Sequence, residues 1–90
     1  MSTLTNRREK IQSVLDRELE RWSQKSCEEL VAALKDVQAY EVELDAVRYQ
    51  IEVELLENTD CYIHVMVAVD DGGFRTATRP ANRTFIRRRD

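Results

Sequence analysis

His64 is the only histidine of this 90-residue chain, and its side chain is the one best suited to proton transfer near neutral pH. The expected strand pairing places it opposite Glu52 or Glu54. A carboxylate beside an imidazole can act with it as a general acid–base pair. No serine or cysteine nucleophile is expected beside His64, so we interpret it as a polar residue on a sheet surface and predict no catalytic residue.

Four glutamates share one face of two neighbouring predicted strands: Glu41, Glu43, Glu52 and Glu54. Such a group of carboxylates could hold a divalent cation or attract a basic partner. Side chains on a flat sheet diverge, whereas metal ligands converge. We therefore interpret these residues as a solvated face whose charge prevents edge-to-edge aggregation, and we predict no metal site.

Charge is distributed unevenly along the chain. Residues 41–71 contain one basic and nine acidic residues, whereas residues 72–90 contain six arginines and one aspartate. The candidate contacts for an anion or for the acidic face are Arg83, Arg87, Arg88 and Arg89, with Arg75 and Arg79 before them. They could bind phosphate as a basic arm or contact the acidic face of the same chain. We favour the internal contact, because Phe85 and Ile86 indicate docking against the core.

The remaining reactive residues carry no recognisable motif. Cys27 and Cys61 are too few for a disulfide framework, and we expect both thiols to be reduced and partly buried. One histidine and no C-x-x-C pair disfavour zinc. The run Asp70-Asp71-Gly72-Gly73 lacks the residues of a phosphate loop and the spacing of a calcium loop, and is typical of a turn. We predict no cofactor.

The first third of the chain has helical periodicity. One face is formed by Leu4, Ile11, Leu15, Leu19 and Trp22, with Val14 beside them. This helix should end near residues 23–25. Ser26-Cys27-Glu28-Glu29 then has the pattern of a capping box that begins a second, shorter helix. A single kinked helix is the alternative, because no glycine or proline separates the two segments.

From Tyr40 the apolar residues alternate with polar ones, which predicts strands. A two-residue turn at Asp45-Ala46 pairs Leu44 with Val47 and Glu43 with Arg48. Such a turn needs positive φ at both central residues, which Ala46 tolerates poorly. A further turn is expected at residues 57–60.

The third strand, from Cys61 to Val69, is apolar on both faces, which predicts an interior position in the sheet. After residue 70 two segments compete for the last strand, residues 74–78 and residues 83–88. We favour a loop from about 70 to 82, followed by the later segment.

These elements predict one small α+β domain over residues 1–90, helical over 1–37 and antiparallel strands over 38–90. The N-terminal helix or helices pack on one face of a three- to four-stranded meander. The net charge of −3 argues against a protein that binds nucleic acid with its whole surface, and the longest apolar run, Val65–Val69, is too short to span a membrane.

We therefore expect a cytoplasmic, non-catalytic protein-interaction or homodimerisation module that uses its sheet face or a sheet edge. The expected contact surface comprises Tyr62, His64, Met66, Glu52 and Glu54. The alternative is a nucleic-acid-binding protein that uses the arginine-rich C-terminal segment.

Overall fold

A computed structural model of the chain describes residues 3–71 and 81–89. Its elements, in chain order, are α1 (Thr3–Ser23), α2 (Cys27–Ala33), β1 (Gln38–Leu44), β2 (Val47–Asn58), β3 (Tyr62–Asp70) and β4 (Ala81–Arg88). The strands form one antiparallel sheet in the order β1-β2-β3-β4, and both helices contribute to a core on one of its faces. The predicted α+β meander is confirmed, with four strands.

The helical conformation is interrupted between α1 and α2, because Ser26 takes an extended conformation, with φ −72° and ψ 164°. Its hydroxyl oxygen accepts a hydrogen bond from the Glu29 backbone N–H at 3.1 Å, and the Glu29 carboxylate accepts one from the Ser26 N–H at 3.3 Å. This is the predicted capping box, which satisfies amide donors at the start of α2. There are two helices, and the alternative of one kinked helix is wrong.

The core lies between the two helices and the helix-facing side of the sheet, with α1 and β3 at its centre. On α1 the predicted stripe is buried at Ile11, Val14, Leu15 and Trp22, with Leu19 partly buried; the side chain of Leu4 lies outside the described part. On β3 the facing residues are Ile63, Val65, Val67 and Val69, all with no solvent exposure. Complete burial of one such side chain stabilises the fold by about 1.5–3 kcal/mol.

The hairpin of β1 and β2 has the predicted register, with Leu44 opposite Val47 and Glu43 opposite Arg48. Asp45 and Ala46 form its two-residue turn, with φ of 51° and 65°. Positive φ at both positions is what a hairpin turn of this length requires, because its twist matches that of the flanking strands.

The pairing of β2 with β3 contains a bulge that the sequence analysis did not predict. Leu55 lies opposite Val65, but Glu57 lies opposite His64, so Leu56 is an extra residue. The strand β2 also continues to Asn58, past the start of the turn expected at 57–60. The predicted position of His64 opposite Glu52 or Glu54 is wrong. Because β2 continues to Asn58 before the chain turns, these glutamates lie opposite Ala68 and Met66, farther along β3.

The last strand is the later of the two predicted segments. β4 pairs with β3, with Phe85 opposite Val65 and Arg87 opposite Ile63. β3 thus has a neighbour on each side, which confirms its predicted interior position. The competing segment, residues 74–78, lies outside the described residues.

A buried polar chain joins α1 to β1. The indole Nε1 of Trp22 donates a hydrogen bond to the Tyr40 hydroxyl at 2.8 Å, and that hydroxyl donates to the Glu18 carboxylate. Glu18 is only 4% exposed, and Arg21 Nη1 lies 3.7 Å from its Oε1. Burial, together with the hydrogen bond to Glu18, raises the pKa of Tyr40 to about 12.

We expect Ala46→Gly to stabilise the protein. Ala46 has a φ of 65°, and glycine adopts this region without the steric cost that a Cβ imposes, although it also loses more backbone entropy on folding. A net gain of about 0.5–1 kcal/mol should raise Tm by several degrees in a thermal melt followed by circular dichroism.

The matched control for this variant is Ala39→Gly. Ala39 is exposed in β1 and is not among the positive-φ residues, so the same change there should lower Tm. An unchanged or lower Tm for Ala46→Gly would contradict the strain argument.

We expect stability to fall between pH 10 and 12 because of Tyr40. The folded state raises the pKa of this phenol from 10.0 to about 12, so its contribution is complete below pH 10 and is lost as the pH rises through 12. Tyr40→Phe should lower Tm at pH 8, because Glu18 loses its hydrogen-bond donor. Between pH 10 and 12 the Tm of this variant should then decrease less than the Tm of wild type.

Tyr62→Phe serves as the control, since the Tyr62 hydroxyl bonds an exposed carboxylate. The Tm of Tyr62→Phe should decrease between pH 10 and 12 almost as much as the Tm of wild type. An alkaline transition that is identical in wild type and Tyr40→Phe would rule out Tyr40 as its cause.

Candidate functional site

The sheet face opposite the helices is covered by no helix of the described chain, and we call it the open face. The strand registers assign its side chains by their alternation. Along β3 it carries Tyr62, His64, Met66 and Ala68, and along β2 it carries Glu52, Glu54 and Glu57. The five residues predicted as a contact surface therefore lie together, with Glu54 opposite Met66 and Glu52 opposite Ala68.

The centre of the open face is apolar and partly shielded by its neighbours. Met66 and Tyr62 are partly buried, and Ala68 is 6% exposed. Ile86 of β4, opposite His64, is 59% exposed and is the most exposed of the large apolar residues of the described chain. Together these residues form a strip on β3 and β4 that a partner could cover.

Glu57 links the two polar side chains at one end of the open face. The Tyr62 hydroxyl donates to Glu57 Oε2 at 3.2 Å, and His64 Nδ1 lies 3.3 Å from Glu57 Oε1. The hydrogen bond to Glu57 raises the pKa of Tyr62, since it favours the protonated phenol. The cluster fixes the position of the His64 ring on the surface.

Sequence reasoning missed Glu57, which it assigned to a turn, because only the bulge brings Glu57 beside His64. It also missed buried Glu18. A signal for Glu18 was present: it falls at the centre of the repeat Ile11, Leu15, Glu18, Trp22, whose steps of four, three and four define the buried face of α1.

The open face is acidic. Among the described residues it carries six acidic side chains, Glu41, Glu43, Glu52, Glu54, Glu57 and Asp70, and two arginines, Arg48 and Arg88, which gives a net charge of −4. The predicted grouping of the first four glutamates is confirmed by the register. Repulsion among them favours a partner of opposite charge.

The four described arginines of the C-terminal segment form no ion pair with the glutamates of this acidic surface. Arg83 Nη1 lies 2.8 Å from Asp16 of α1, and Arg89 donates to the Thr59 carbonyl at 2.8 Å and to the Asn58 side chain. No ion pair within residues 3–71 and 81–89 joins Arg83, Arg87, Arg88 or Arg89 to the glutamates of β1 or β2.

The expected contact between the arginine segment and the acidic face is therefore wrong for those four residues. The physical reason is the strand order, since β3 separates β4 from β2. The segment does dock on the core through Phe85, as expected, since Phe85 packs against the buried cluster. The same expectation for Ile86 is wrong, because strand alternation places Ile86 on the opposite face, where it is 59% exposed.

A groove of about 710 Å³ lies between the start of α2 and the end of β4. It is lined by Ser26, Cys27, Glu28, Ile86, Arg87, Arg88 and Arg89. The Cys27 thiol lies 3.2 Å from the Arg88 carbonyl oxygen, to which it donates, and 3.7 Å from that of Arg87. Cys27 thereby ties α2 to β4. Both cysteines are free thiols, as expected, but only Cys27 is partly buried and Cys61 is exposed.

The described part of the chain contains neither a metal-binding cluster nor a membrane-spanning helix. No group of three or more histidine, cysteine, aspartate or glutamate side chains is placed to hold a metal ion. No described helix has the length and apolar character needed to cross a membrane.

Comparison with known proteins adds no relative to this description. No protein-family model matches the chain, and neither the curated proteins nor the solved structures that were searched contain a significant match.

Proposed function

We propose that this protein is an interaction module that binds a basic protein partner through its open face. The observation that carries the proposal is the combination of an apolar strip, formed by Tyr62, Met66 and Ile86, with a surrounding net charge of −4 on a face that no described helix covers. The proposal is for a binding protein and includes no reaction.

The apolar strip supplies the part of the interface that excludes water. Tyrosine and methionine are enriched at the centres of protein interfaces, where a large apolar surface leaves water at little conformational cost. Ile86 is 59% exposed and lies opposite His64, beside that centre. A partner residue that covers it would remove apolar surface that the isolated chain leaves in solvent.

The surrounding charge supplies orientation and selectivity. Lysine or arginine side chains of a partner would meet Glu52 and Glu54, which flank the strip on β2. A second copy that docked face to face would place −4 against −4. Homodimerisation through this face is therefore the less favourable version of the expected interaction module.

Nucleic-acid binding through the arginine segment is the second candidate, supported by the arginine-lined groove. Two of the four arginines already have partners, Arg83 with Asp16 and Arg89 with Thr59 and Asn58. The acidic open face would also repel phosphate. These contacts favour the protein partner.

The direct test uses a fluorescein-labelled peptide in which lysine and valine alternate, with binding followed by fluorescence anisotropy. Wild-type protein should bind it, and Glu54→Lys should raise Kd about tenfold, a loss of about 1.4 kcal/mol of binding free energy. The matched control is Glu20→Lys, an exposed site on α1 with the same change of charge, which should bind like wild type. Equal weakening by both variants would reduce the effect to net charge and contradict the proposed site.

A second pair of variants tests the apolar strip. Ile86→Ser should weaken peptide binding at low and at high salt, because apolar burial is not screened by ions. Val37→Ser, at an exposed valine before β1, should leave Kd unchanged.

Two other measurements test whether a second copy of the chain or a nucleic acid binds instead of a basic protein. A salt-resistant dimer in light scattering that Ile86→Ser dissociates would overturn the proposal in favour of a second copy. Binding of a mixed single-stranded oligonucleotide that is tighter than peptide binding, and that is lost on Arg87→Ala with Arg88→Ala, would overturn it in favour of nucleic acid.

A further inference from the structure

We infer that the edge of β4 that no described strand covers binds an extended acidic segment of a partner protein, which adds to the sheet as a further strand. This surface adjoins the open face and shares Ile86 and Arg88 with it, but the inference rests on the backbone groups at the edge of β4 and does not depend on the function proposed for that face. It begins from the place of β4 as an outer strand of the sheet.

The register shows which backbone groups point outward from this edge. The Arg89 N–H donates to the Cys61 carbonyl at 2.9 Å, so Arg88 and Tyr62 form a non-hydrogen-bonded pair of the antiparallel ladder. Alternation along an uninterrupted register makes Thr84 and Ile86 non-hydrogen-bonded as well. Their N–H and C=O groups therefore point away from β3, toward the edge.

The neighbouring residues leave this stretch open and close one end of it. Thr84 and Ile86 are exposed. At the far end the Cys27 thiol already bonds the Arg88 carbonyl, so α2 limits how far a partner strand can extend. The groove of about 710 Å³ at this end adjoins Ile86, Arg87 and Arg88 and gives room for the partner's side chains.

Charge defines the chemistry of the added strand. Arg87 lies on the helix-facing side of β4 and Arg88 on the open side, and neither forms an ion pair among the described residues. A strand beside β4 sends its side chains alternately to both sides, so glutamate or aspartate on it can meet each arginine. The same arginines oppose pairing of β4 with its own copy.

An acidic peptide fits this edge better than nucleic acid does. A phosphodiester has no N–H group for the outward carbonyls of Thr84 and Ile86, whereas a peptide strand offers both donors and acceptors. The one aromatic side chain of β4, Phe85, packs into the core and offers no stacking surface at the edge.

The test uses a fluorescein-labelled peptide in which glutamate and valine alternate. Thr84→Pro should raise the Kd for this peptide at least tenfold, because proline has no N–H and its ring blocks the approaching strand. The N–H it removes points outward, so the ladder to β3 is retained. Circular dichroism melts establish that each variant is folded.

The matched control is Glu41→Pro on the opposite edge. The two-residue turn makes Leu44 and Val47 a hydrogen-bonded pair, so the N–H of Glu41 also points outward, from β1. This variant should bind the acidic peptide like wild type. Weakening by both prolines to the same extent would overturn the assignment to β4.

A further comparison leaves the protein unchanged. The same peptide, N-methylated at every residue, keeps its charge but loses the N–H groups on both of its edges, and it should fail to bind. Equal binding of the two peptides would overturn strand addition and leave charge attraction alone. This result is decisive even where Thr84→Pro does not fold.

Other occupants give distinct results. Tighter binding of a single-stranded oligonucleotide, lost on Arg87→Glu with Arg88→Glu, would overturn the inference, as would self-association abolished by Thr84→Pro. Glu54→Lys should not weaken binding of the acidic peptide, and Arg87→Glu, on the helix-facing side of β4, should weaken binding of the acidic peptide but not of the lysine–valine peptide. Failure of one proposal is thereby distinguished from failure of the other.

Discussion

The architecture depends on the burial of one row of aliphatic side chains on β3. Ile63, Val65, Val67 and Val69 have no solvent exposure, and they are covered by helix on one side and flanked by β2 and β4 in the sheet. Because strand side chains alternate, burying this row necessarily directs Tyr62, His64, Met66 and Ala68 to the other face. The same packing that forms the core therefore creates the open face.

The two binding surfaces differ in charge because the acidic and basic segments of the chain occupy different strands. Residues 41–71 supply the acidic β1 and β2, and the arginine-rich end supplies β4. With β3 between them the charges cannot cancel by contact, so one molecule has an acidic face and a basic edge. This separation opposes self-association of like surfaces and favours partners of opposite charge.

The helices hold these surfaces in place through polar as well as apolar contacts. The Trp22–Tyr40–Glu18 chain ties α1 to β1, and Asp16 with Arg83 ties it to β4, so α1 is joined to both outer strands. At the other end, the Cys27 thiol joins α2 to β4. A buried carboxylate is tolerated at Glu18 because a phenol donates to it and Arg21 lies close by.

The sequence by itself determined the features that arise from residues close together in the chain. The capping box at Ser26, the hairpin turn at Asp45-Ala46 with its register, and the two-sided apolar pattern of β3 all follow from local turn chemistry and side-chain alternation. For the same reason the grouping of Tyr62, His64, Met66, Glu52 and Glu54 on one face was predictable.

Only the tertiary structure decided which distant groups meet. The bulge at Leu56 places Glu57 beside His64, and pairing of β4 with β3 directs Arg83 to Asp16 rather than to the glutamates. A bulge has no sequence pattern of its own, because a residue becomes the extra one only when two strands pair and the core fixes their register. The contact of Arg83 with Asp16 likewise depends on packing between residues 67 positions apart, which alternation along a single strand does not encode.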